Sequence, residues 1–328
     1  MTKVPEVGVV FPREQDPATL VDCVRRAEAL GLDQFWLVED CFYNSGIAQA
    51  AIALAATERI KIGMGINPAV ARNAAFLAME YATLANAFPG RFIGGIGHGV
   101  ADWMEQIGAK PKSWLGSIEE TTTAVRRILA GESVTTDGQY VKLDGVQLYQ
   151  PPRVVPPVLL GVRGEKSLRL AGVCADGVIL ADNATPEYIA WAQDLVKQGR
   201  VDADRDGNGQ IVVFVTSLVS DTSPETARAT MREHIATENA NGVRPTILEL
   251  PPYGAEMGRL FEQGGADALR DGMLDEWIDQ MSVTGSIQDA RTAVARIGNA
   301  GADAIVLSQP AQVSWGDWLD QLTWVNRG

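Results

Sequence analysis

Histidine and cysteine are scarce in this chain of 328 residues: it has two of the first, His98 and His234, and three of the second, Cys23, Cys41 and Cys174. The cysteines are odd in number and widely spaced, with no CxxC pair, so no disulfide framework or thiol redox motif is written here. Such a thin supply of imidazole and thiol leaves no ligand set for zinc, and no metal is expected. Long apolar runs are missing too. Nothing approaches the ~20 residues of a spanning helix, so no membrane partner is expected. Basic residues are in the minority: 28 Lys and Arg against 41 Asp and Glu give a net charge of −13. That balance argues against nucleic acid, which requires clustered cations to meet its phosphates. The first eleven residues lack the basic, apolar and small-residue regions of a secretory signal, so a cytoplasmic location is expected.

What the chain does have is a repeated alternation. Eight short apolar runs recur along it: 7–11, 35–38, 60–65, 92–97, 158–162, 177–180, 212–219 and 304–307. Most are followed by a segment of helical period. Continuous apolar runs of this length suit strands buried on both faces, which is the habit of parallel sheets. Eight strand–helix repeats predict a closed (β/α)8 TIM barrel, with residues 1–328 as a single domain. The spacing is longer than a plain repeat needs after the fourth and seventh runs, and both excesses read as insertion loops. Ser117-x-x-Glu120 reads as a capping box that starts a helix ending near Gly131. Val134–Val141, with Asp137-Gly138 in its middle, reads as a hairpin. Helices are expected at 224–241 and 275–280, with an irregular stretch between 251 and 265. Ser286-x-x-Asp289 caps the last long helix. The second and third helices are alanine-rich and nearly apolar all round, which suggests a homodimer as the expected assembly, burial within the monomer being the alternative.

A barrel of this kind builds its active site from the loops after its strands. The strand ends are Phe11-Pro12-Arg13, Glu39-Asp40, Gly65-Ile66-Asn67, Gly97-His98-Gly99, Arg163 to Lys166, Asp182-Asn183, Ser217 to Ser220, and Ser308-Gln309. The run Gly94-Gly95-Ile96-Gly97-His98-Gly99 fails as a dinucleotide fingerprint, because Val100 stands where the third glycine belongs. Its glycines either let a planar ring approach the backbone or relieve crowding inside the barrel. Gly161 to Ser167 lies between a strand and a helix, where backbone N–H groups can hold an anion beside Arg163 or Lys166, or where those cations are solvated surface charge. His98 either serves a ligand or is a hydrogen-bonded structural histidine. Glu39 and Asp40 are adjacent on a strand end and so point opposite ways, one toward the rim and one away. His234 reads as a surface residue. Trp103 and Trp114 are placed to line a rim loop.

Several of these segments together resemble the luciferase-like monooxygenase superfamily. They are Trp36 to Asp40, Ala53 to Pro68, Pro89 to Gly99, Leu160 to Gly172, Ala175 to Val178, and Gly301-Ala302-Asp303. Within it, the chain is similar to the deazaflavin-dependent branch that includes methylenetetrahydromethanopterin reductases. The resemblance implies an oxidoreductase that moves a hydride between coenzyme F420 and a small organic substrate at the strand C-terminal rim. FMN, in a monooxygenase on the same barrel, is the alternative cofactor, and a non-catalytic flavin-binding paralogue is a further alternative. It also implies a non-proline cis peptide at Gly65–Ile66 and phosphate binding by Val162, Arg163, Gly164, Glu165 and Lys166. The ring would lie near Glu39, Gly65, Ile66, Asn67, Gly97, His98 and Gly99. Two departures stand out. Many deazaflavin enzymes carry Asp-His after the second strand, whereas this chain has Glu39-Asp40-Cys41. Sugar-phosphate dehydrogenases of the family carry a glutamate after the fourth strand, where Val100 stands here. Asp40 and His98 are therefore the candidates for proton chemistry.

Overall fold

The structure is a computed structural model that describes residues 4–181, 183–244 and 248–325. Eight parallel strands close into a barrel surrounded by helices, as the apolar runs predict. In chain order the strands are β1 (Glu6–Phe11), β2 (Gln34–Leu37), β3 (Lys61–Met64), β4 (Asn67–Pro68), β5 (Phe92–Gly97), β6 (Val134–Asp137), β7 (Lys142–Val146), β8 (Val158–Gly161), β9 (Gly177–Leu180), β10 (Gln210–Val219), β11 (Val283–Gly285) and β12 (Ala304–Ser308). The sheet runs β11-β10-β12-β1-β2-β3-β5-β8-β9, and β9 pairs with β10. Short β4 pairs with the end of β5, setting Asn67 opposite Ile96 and Pro68 opposite Gly97. Further along the wall, Gly97 stands opposite Gly161. The strands are rich in Val, Ile and Leu because helices cover one face and the barrel interior the other.

Two compact units divide the residues. One comprises Val9–Ile179 and Asp194–Gln210. Trp36 is its largest fully buried side chain, and the indole N–H of Trp36 donates to Gln34 Oε1 at 2.7 Å. Between β5 and β8 this unit carries two helices, Ala101–Gln106 and Trp114–Leu129, and the antiparallel pair β6–β7. Ser113 caps the longer helix by accepting from Gly116 N, and Ser117, expected to be the cap, lies buried within the first turn. Glu120 has a stronger demand on it than a capping box: it accepts the N–H groups of Gln139, Tyr140 and Val141 in the hairpin turn. The turn follows Asp137 rather than centring on it, and the second strand extends to Val146.

The other unit comprises Met1–Gly8, Leu180–Gln193 and Ile211–Gly328. A cluster of Met231, Ile235, Met257, Leu269, Met273, Trp277, Ile278 and Met281 holds its helical segments together. The stretch expected to be irregular is helical from Gly254 to Gly272, broken only at Gly264-Gly265, because its apolar face has that cluster to bury against. Ser286 and Asp289 form the predicted capping box of helix Ile287–Asn299. His234 is not a surface residue. Its helix, Pro224–Glu238, turns the imidazole inward to Thr216 Oγ1 at 3.3 Å, and the ring is buried.

Candidate functional site

The loop after β3 brings the first group of residues together. The Gly65–Ile66 peptide is cis, as the resemblance implies, and a second non-proline cis bond, Cys41–Phe42, follows β2. Ile66 projects against the wall formed by β5 and β8. A Cβ on Gly97 would stand 2.6 Å from Ile66 Cγ1, and one on Gly161 would stand 2.6 Å from Ile66 Cγ2. A Cβ on Gly95 would fall 1.8 Å from the Met64 carbonyl oxygen. The bare backbone at these glycines therefore accommodates the protein's own packing. Gly99 differs: its φ of +72° is left-handed backbone that favours glycine.

Asn67 is fully buried. Its Oδ1 accepts from Tyr81 Oη at 2.9 Å, and the same phenol lies 3.0 Å from the Gly95 carbonyl. Asn67 Nδ2 has no partner. The Nδ1 of His98 is likewise buried without a partner, while its ring meets the Trp114 indole edge-on at 5.9 Å. Burial lowers the His98 pKa below its ordinary value, so the imidazole is neutral at neutral pH.

Glu39 and Asp40 do point to different partners. Glu39 accepts two bonds from the Arg72 guanidinium, at 2.6 and 3.1 Å, and one from Gly46 N at 2.9 Å, at the start of helix Gly46–Ala56. Both its oxygens are therefore engaged by the protein. Burial works against the charge on Arg72, but Glu39 more than offsets it and raises its pKa. Asp40 takes the other direction. Its Oδ2 accepts from Arg13 Nη1 at 2.7 Å. Arg13 in turn lies over the rings of Tyr43, at 5.1 Å, and Trp103, at 5.7 Å. Arg13 was legible only as one polar strand end among eight; nothing local in the sequence marks its partners.

The third group follows β8. Val162 is buried in the wall, and Arg163, Gly164, Glu165 and Lys166 are exposed. Gly164 is the N-cap of helix Glu165–Cys174, and no side chain caps that helix start. A Cβ added to Gly164 would meet nothing within 4 Å. The first N–H groups of the helix are thus left for an outside acceptor, and the helix dipole favours an anionic one. An uncapped helix start together with the unpaired donor on Asn67 and the unpaired ring nitrogen of His98 fits a polar cofactor that carries phosphate. Of the remaining strand ends, Asp182 lies outside the described residues. Asn183 is buried with Nδ2 unpaired, and Ser308 Oγ donates to Thr216 Oγ1 at 3.3 Å.

A 5,10-methylenetetrahydromethanopterin reductase from Methanolobus tindarius is 28% identical over 310 residues, 92% of this chain and 94% of that protein. An F420-dependent glucose-6-phosphate dehydrogenase from Nocardia farcinica is 28% identical over 285 residues, 80% of this chain and 81% of that protein. Among solved structures, the coenzyme F420 dependent tetrahydromethanopterin reductase from Methanopyrus kandleri superposes with a TM-score of 0.79 at 19% identity, covering 98% of this chain and 97% of that one. The family model for luciferase-like monooxygenases matches residues 5–304. The chain belongs to the luciferase-like monooxygenase family.

Proposed function

We propose that this protein is an oxidoreductase that transfers a hydride between coenzyme F420 and a small organic substrate. The observation that carries the reading is the open, uncapped helix start at Gly164, immediately after β8, in a chain related over most of its length to a 5,10-methylenetetrahydromethanopterin reductase and an F420-dependent glucose-6-phosphate dehydrogenase. The N–H groups after Gly164 would hold the phosphate, with Lys166 beside them and Arg163 and Glu165 flanking. When bound, the deazaflavin supplies a ring carbon that gives or takes the hydride. This chain's own residues do the rest. Ile66 backs the loop after β3. Asn67 Nδ2 and His98 Nδ1 provide polar contacts. Trp103, Trp114 and Tyr43 exclude water. Asp40 Oδ1 and His98 Nδ1 are the atoms that would hold or move a proton.

The same reading takes residues 1–328 as one cytoplasmic barrel domain. It also assigns a second copy of the chain to the faces of helices Gly46–Ala56 and Ala74–Ala87. Glu80 is the single charged residue in these two helices, and Ile52, Phe76 and Met79 are exposed on them. Side-by-side fluorescence titrations with F420 and FMN test the cofactor. Tight binding of F420 with weaker FMN binding is expected, and the reverse order would replace the reading with a flavin monooxygenase. Light scattering after size exclusion tests the dimer.

A further inference from the structure

Arg13 follows β1, Asp40 follows β2, and Trp103 lies in the helix after β5, so one guanidinium ties three strand ends together. Two of its in-plane donors are directed at carboxylates: Nη1 at Asp40 Oδ2 and Nε at Glu14 Oε1, each at 2.7 Å. Its guanidinium carbon lies over the rings of Tyr43 and Trp103. Burial opposes the charge, yet the bonds to Glu14 and Asp40 prevail and raise the pKa of Arg13, so the guanidinium is permanently cationic. Asp40 is bound through one oxygen. Among the described residues, Oδ1 accepts no hydrogen bond, and the side chain remains partly exposed.

These contacts have a chemical consequence. A carboxylate oxygen accepts hydrogen bonds, so the open, partly exposed oxygen of Asp40 is available to a ligand's O–H or N–H in place of water. Two carboxylates against one guanidinium leave this cluster with a negative balance, which repels anions. The adjoining surface is aromatic, since Phe42 and Tyr43 are both exposed. The geometry points to Asp40 Oδ1 as a substrate-recognition atom, with Arg13 as its positioning residue, for a neutral or cationic substrate that offers an O–H or N–H donor against the aromatic side chains of Tyr43 and Trp103. This rests on the hydride-transfer reading and specifies its substrate class: alcohols and amines rather than phosphorylated or carboxylated compounds.

The test uses the full chain with F420 and three probes: cyclohexanol, cyclohexylamine and glucose 6-phosphate. Arg13→Gln, Arg13→Lys, Asp40→Asn and the Arg13→Gln/Asp40→Asn double variant are compared with the unaltered protein. F420 affinity, read by fluorescence quenching, is expected to stay within about threefold throughout, while Arg13→Gln and Asp40→Asn each lower kcat/KM for the neutral or cationic probe by about tenfold or more. Arg13→Lys restores part of the loss, and the double variant is no worse than Asp40→Asn, because Arg13 acts through Asp40. In the cofactor-free protein, the urea midpoints of the same four variants are non-additive if the pair is coupled. Loss of F420 binding by the unaltered chain overturns the hydride-transfer reading itself. Binding of F420 with turnover of glucose 6-phosphate alone, or of none of the probes, overturns the substrate class. Unchanged kcat/KM in Arg13→Gln, or additive midpoints, overturns the positioning role.

Discussion

Ile66 occupies the space that Gly97 leaves by lacking a side chain: an added Cβ would lie 2.6 Å from Ile66 Cγ1. The loop after β3 and the end of β5 are therefore cut to fit each other. Gly97→Ala forces the branched Ile66 side chain to move within a packed wall, and we expect a loss of stability of about 1–3 kcal/mol. Ile66→Ala in the same chain removes the obstruction. The double variant should be more stable than the sum of the single effects predicts, measured by urea denaturation. Strict additivity would show that the two residues do not compete for that space.

Glu39 is expected to matter for folding. Glu39→Ala strands the half-buried Arg72 guanidinium, which keeps only a 3.4 Å approach to Glu80, and removes the acceptor for Gly46 N. Breaking such a partly buried pair from one side costs about 1–3 kcal/mol, less than for a fully buried one because water reaches Arg72. Chemical denaturation should register that loss. F420 affinity, measured on the folded fraction, should change far less, and a large affinity loss with unchanged stability would return Glu39 to the cofactor.

Gly164 gives the opposite pattern. Its backbone, φ −81° and ψ 156°, is open to any residue, and there is free space where a side chain would go. Gly164→Asp should fold with unchanged or slightly raised stability. Its carboxylate would cap the helix N–H groups and repel an anion, lowering F420 affinity by about tenfold or more. Calorimetric titration checks this, and undiminished affinity would place the phosphate elsewhere.

His98 makes stability depend on pH. Its folded pKa lies below the ordinary 6.5 because burial disfavours the charged ring. The unfolded chain therefore binds the proton more readily. Stability is fully present above pH 6.5 and falls as pH drops through the folded value. His98→Gln should flatten this part of the melting temperature profile between pH 8 and pH 5. An unchanged slope would assign the acid sensitivity to other groups.

The barrel was legible because strands buried on both faces need uninterrupted apolar residues, and each of the eight runs contains or overlaps a barrel strand. The Ser286–Asp289 cap was legible because a capping box is closed within four residues. Ser117 and Glu120 show the limit of that logic. The same spacing stands there, yet the carboxylate of Glu120 serves a hairpin turn about twenty residues away, and Ser113 does the capping. Likewise, the helical period of 224–238 was visible in outline, but the burial of His234 depends on Thr216 in β10.

Sequence alone was enough for the parallel strand–helix alternation, the family and the segments that gather at the strand ends, because those properties are carried by local pattern. Which acid meets which base was settled only by folding. Glu39 found Arg72 and Asp40 found Arg13 across separations of 33 and 27 residues. Two neighbouring carboxylates on one strand end were thus sent to different work, one locking a helix in place and the other left with an oxygen open, because alternate side chains of extended backbone face opposite sides.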